Sequence, residues 1–113
     1  MKPIVIVAPR FVKALSIIID IYAITLWPFI ISREEMSEDV LNHESIHIAQ
    51  QKELLVLFFY LLYGWDYFMG LIKYKDKEKA YYRIRFEQEA YENMYNQNYL
   101  TERKLYSWRK YKV

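Results

Sequence analysis

Residues 54–72, "LLVLFFYLLYGWDYFMGLI", are apolar on every side of a helix, interrupted only by Gly64, Asp66 and Gly70. A helix without a polar face is either the centre of a domain or a membrane segment. The chain has 113 residues, which makes a single domain over 1–113 that buries roughly two-thirds of the surface its unfolded form exposes. Such a domain needs one buried element, and an uncompensated Asp66 is costly in lipid. The run is therefore expected to be the core helix, starting at Glu53 or Leu54, with Gly64 a candidate kink and Gly70 a candidate terminus. Peripheral membrane contact remains an additional option for it.

The chain before this helix changes character twice. Residues 3–32 are dominated by Ile and Val, which predicts two or three short strands broken near Pro9 and at Trp27-Pro28. A second apolar run, 14–31, is long enough to cross a bilayer as a helix, but it holds Asp20, Pro28 and many isoleucines, so it too reads as strand. Lys2 in front of it gives a faint likeness to a signal sequence, yet no small-residue cleavage site follows. The expected location is cytoplasmic or peripheral to a membrane. A central strand tolerates proline badly, so residues 24–32 are either an edge strand or two short strands meeting at Pro28. The period then changes: Ser37 is the expected N-cap of a helix reaching about Lys52, with Glu38 and Asp39 at its positive end. After the core helix, "KYKDKEK" reads as a solvated connector, and residues 77–96 as helix with a break near Arg85 and a new start at Phe86.

The first of these helices contains both histidines of the chain, in "NHESIHIAQQ". Helical residues at i and i+4 differ by about 40° around the axis, so His43 and His47 can turn their rings to one ion. Glu44, about 100° further round, is placed to reach a water rather than to ligate. The chain has no cysteine, which removes disulfides, thiolate nucleophiles and cysteine zinc sites together. With no third histidine, a tetrahedral catalytic metal needs a carboxylate as its third ligand. "RFEQEAYENMY" offers one: Glu87 and Ala90 share a helix face, where alanine permits close approach while the glutamate reaches the ion. Tyr91 falls on that face as a hydrogen-bond donor to the ligands or to a developing oxyanion, and Glu89 points about 200° away from Glu87, the alternative ligand.

"HESIH" followed by "EQEA" resembles the gluzincin metallopeptidases, and most of all their very small members, the minigluzincins. The resemblance implies a helix-rich α+β zincin-like domain whose short N-terminal sheet lends an edge strand, over 24–32, to an extended peptide. It implies zinc held by His43, His47 and Glu87, with Glu44 as general base in peptide-bond hydrolysis. Related E-x-x-A-D peptidases place aspartate where this chain has Tyr91, and the metzincin extension after His47 is absent. Two other readings fit the same residues: a catalytically inactive zincin-like module, or a small membrane-associated structural protein in which HExxH is incidental.

Net charge is +2, too small to argue for nucleic acid, and none is expected as a partner; a peptide or protein substrate is. Charge is nevertheless segregated, with net −4 over 33–53 and net +4 over 101–113. In the tail, Leu105 and Trp108 at i and i+3 are expected to pack on the domain while the cations face water or the acidic segment. The opposite charges predict a tail lying across or beside the cleft, limiting access as a self-inhibiting segment.

Overall fold

The computed structural model describes residues 3–15 and 23–113, and the middle of the 14–31 run lies outside the described residues. Strand β1 (Ile4–Val7) leads into helix α1 (Pro9–Leu15), which places Ala14 in helix rather than strand. Pro9 ends the strand but takes the first helical position, where its fixed φ and missing N–H cost nothing, and the Arg, Lys and Ala behind it are good helix formers. Strands β2 (Ala23–Leu26) and β3 (Phe29–Ser32) meet at Trp27-Pro28, the two-strand alternative of the sequence reading. The sheet order is β1-β3-β2, with β3 parallel to β1 and antiparallel to β2. The strand directly before the metal-motif helix, β3, is thus central, and β2 is an edge.

Helix α2 (Glu38–Glu53) begins as the sequence predicts: Ser37 is extended and its Oγ accepts from the Val40 N–H at 3.3 Å. Leu55 and Val56 both take positive φ, a conformation that glycine adopts without strain and they do not, and helix α3 (Leu57–Tyr74) departs at 114° to α2. Gly70 does not end α3. It lets α3 touch helix α4 (Lys77–Arg83) so closely that a Cβ there would lie 3.0 Å from the Ala80 Cα and Cβ. The expected connector "KYKDKEK" contracts to Lys75 and Asp76, because the Asp76 side chain caps α4 by accepting from the Glu78 and Lys79 N–H groups. Ile84, in an extended conformation, separates α4 from α5 (Arg85–Asn93), close to the expected break.

The chain ends in α6 (Tyr99–Glu102) and a 3-10 turn, Ser107–Lys110. Trp108 is buried, but Leu105 is 76% exposed, because the extended Arg103 breaks the helix that would have put the two on one face. Phe59, Ile84, Phe86 and Trp108 form the core, bordered by Tyr60, Tyr63, Tyr67 and Tyr81. The apolar helix is a core helix on one side only: Phe59, Asp66 and Gly70 are buried, whereas Leu57, Leu61, Trp65, Phe68 and Ile72 face outward. Asp66 is compensated. Its Oδ1 and Oδ2 accept a two-pronged pair of bonds from Arg85 at 2.9 and 2.8 Å, and Oδ2 also accepts from the Arg85 backbone N–H at 3.1 Å.

Candidate metal centre

The face that α2 turns inward is polar. Asn42, His43, His47, Gln50 and Gln51 are all buried; the three amides bond to α5 and β2 and the two imidazoles to Glu87. Asn42 Nδ2 donates to the carbonyls of Met94 and Asn96 at 2.8 and 3.0 Å, closing the open C-terminal end of α5. Gln50 Nε2 donates to the Phe86 carbonyl at 3.1 Å and to Glu89 Oε1 at 2.9 Å. These amides fix the position of α5 against α2, and with it the glutamate that α5 brings to the histidines.

Among the described residues, one group of three metal-ligating side chains converges: His43, His47 and Glu87, all at or below 5% exposure. Glu87 Oε1 lies 3.1 Å from His43 Nε2 and 3.0 Å from His47 Nε2. Ligand atoms at about 2.05 Å from a tetrahedral zinc stand about 3.3 Å apart, so this spacing is close to that of a shared ion. Two imidazole nitrogens and one carboxylate oxygen form a donor set that suits zinc among other transition metals. The other carboxylate oxygen, Oε2, accepts from the Tyr63 hydroxyl at 2.5 Å. His47 Nδ1 donates to Gln50 Oε1 at 2.7 Å, which leaves Nε2 as the ligating nitrogen of the neutral ring.

Electrostatics bind the cluster together. Burial by itself would raise the Glu87 pKa, but the two imidazoles outweigh it and hold this carboxyl well below the usual range. Burial would lower His47, yet Glu87 and then Glu44 outweigh it and push the imidazole up to about 9. Without a metal, the pair is closed by a proton. Glu44 is different: burial dominates and raises its pKa despite the neighbouring histidines. The Thr25 hydroxyl of β2 donates to Glu44 Oε2 and orients it.

Glu89 turns away from the cluster. Its carboxylate accepts from Arg103 Nε at 2.5 Å and from the Tyr99 hydroxyl at 2.6 Å, and Arg103 also bonds both oxygens of Glu53 at 3.0 and 2.9 Å. Ala90 is fully buried in the α5 face that meets α2. Tyr91 does not reach Glu87: its ring stands edge-on to His43 at 4.3 Å and its hydroxyl pairs with that of Tyr81 at 3.1 Å. Tyr63, Gln50 and Thr25 carry the polar contacts to the motif instead. Sequence reasoning passed over all three, although Gln50 stands three residues after His47, on nearly the same helix face.

The edge strand is partly occupied by the chain itself. Gln51 Nε2 donates to the Thr25 carbonyl at 2.7 Å, its Oε1 accepts from the Trp27 N–H at 2.6 Å, and the Tyr60 hydroxyl also reaches the Thr25 carbonyl. The tail bonds to the outer side of α4 and α5: the Lys112 carbonyl accepts from Arg83 and Gln88, and the Tyr111 hydroxyl meets Glu92.

No family model, curated protein or solved structure matches the chain. The likeness to gluzincins therefore rests on the motif residues and their convergence alone.

Proposed function

We propose that the protein is a zinc-dependent metallopeptidase of gluzincin type, with His43, His47 and Glu87 as zinc ligands and Glu44 as general base. The observation that carries this reading is the meeting of two α2 imidazoles and an α5 carboxylate at 3.0–3.1 Å, beside a carboxyl that is not part of the triplet. Bound zinc supplies Lewis acidity and brings the pKa of a water near 7. Glu44 would take that proton: it stands beside the ligands without being one of them, and the Thr25 hydroxyl holds Oε2 so that the other oxygen is free to act. Gln50 fixes the His47 tautomer, and Tyr63 fixes the Glu87 rotamer. The test is cleavage of a mixed peptide library by zinc-loaded protein. Glu44→Gln should lose cleavage while keeping wild-type zinc content, and equal cleavage by both proteins would refute the assignment.

The burial of all three ligands, with Gln51 bonded along the β2 edge, favours a second reading: a non-catalytic zinc module of the same design. It predicts full zinc content and no cleavage of any peptide by the wild type.

A further inference from the structure

We propose that the outer face of α3 is a docking surface for an anionic lipid bilayer, with the helix lying in the plane of the interface. Leu57, Phe58, Leu61, Trp65, Phe68 and Ile72 are each 53–63% exposed. They repeat at three- and four-residue intervals, within about 100° of the helix circumference and along about 22 Å of its axis. No charged residue interrupts this stripe, and the helix's one acid, Asp66, is turned inward and held by Arg85. A continuous exposed patch of aromatic and large aliphatic side chains marks an interaction surface rather than ordinary scatter. No helix among the described residues is long and apolar enough to cross a membrane by itself, so the geometry is that of a helix lying on a bilayer.

Charge selects the occupant. The stripe is bounded at its C-terminal end by exposed Lys73 and Lys75, with Lys77 and Lys79 just beyond, against Asp76 and Glu78. Along its side, Lys112 borders a shallow hollow with Trp65 and Met69. The acidic Glu34, Glu35 and Glu38 stand at the opposite end of α2 from its joint with α3, about 24 Å of helix away. An apolar strip with a cationic rim complements anionic headgroups over acyl chains. The inner face of the same helix supplies Tyr63 to Glu87, so the candidate centre would sit one helix diameter from the lipid.

The proposal does not depend on the metal reading. It is tested by co-sedimentation of the full chain with vesicles of phosphatidylcholine alone and of phosphatidylcholine mixed with phosphatidylglycerol. The wild type should bind the mixed vesicles at least about tenfold more tightly than the neutral ones. Leu61→Glu combined with Phe68→Glu should abolish binding while circular dichroism and zinc content stay unchanged, since both side chains are exposed. Lys75→Gln and Lys112→Gln should each weaken binding roughly fivefold. Absence of binding to either vesicle overturns the proposal, as does unchanged binding by the double-glutamate variant. A wild-type dimer in light scattering that this variant dissociates, with no vesicle binding, overturns it in favour of a second copy.

Discussion

Two glutamates of α5, two residues apart, are both buried and answer their charge in opposite ways. Glu89 is closed by the chain's own permanent cation: Arg103 bridges it to Glu53, with all three side chains at most 4% exposed. Glu87 meets the neutral Tyr63 hydroxyl and two imidazoles, which carry charge only when a proton is bound, and His47 is held up to about 9 by that very contact. A guanidinium cannot be exchanged for anything, so the first network is architecture. The second network is closed by a cation that can leave, and a metal ion can take its place. The same helix thus carries a structural carboxylate and a ligand carboxylate, separated by the rotation of two residues.

The comparison breaks most severely at Arg103. Arg103→Ala leaves Glu53 and Glu89 buried without their cation and should cost about 3–5 kcal/mol in denaturant-induced unfolding. Gln50 touches both networks, through His47 and Glu89. Gln50→Ala should lower zinc affinity about 10–100-fold in competition with a chromophoric chelator, with a smaller loss of stability. Acid sharpens the difference further. Burial would raise the Glu89 pKa, but Arg103, Gln50 and Tyr99 donate to it and bring it below the usual value. A carboxyl depressed in the folded state contributes stability that is fully present above its unfolded pKa, about 4.3, and is lost as pH falls through the folded value. Metal-free wild type should therefore lose stability progressively below about pH 4.3, and Glu89→Gln should flatten that part of the profile in pH-dependent urea melts.

Much of the framework was legible in the chain. Ser37 with Glu38 and Asp39 announced the start of α2 because capping is a local interaction, and the break near Arg85 showed as a change of period. The separation of Glu87 from Glu89 followed from helix geometry. What escaped the sequence was long-range. The opposite charges of tail and acidic segment foretold a cation meeting 33–53, as Arg103 does at Glu53, but not which cation, nor that it would also be buried against Glu89. Gln50 and Gln51 drew no assignment from the sequence, yet they hold α5 and β2. The run at 54–72 was expected to be the core helix and is one on a single side, because hydropathy reports how apolar a helix is and not how much of it the rest of a small domain can cover. Tyr63, hidden in that run as one aromatic among many, supplies the hydroxyl that Tyr91 was expected to provide.

The central claim is that Glu87, and not Glu89, completes a metal site with His43 and His47. Metal analysis of chelator-free wild type, Glu87→Ala and Glu89→Gln tests it most directly, with circular dichroism to establish that each is folded. The expected contents are about one zinc per chain for the wild type, close to none for Glu87→Ala and about one for Glu89→Gln, whose amide still reaches Arg103 and Gln50. Equal zinc in wild type and Glu87→Ala would contradict the account.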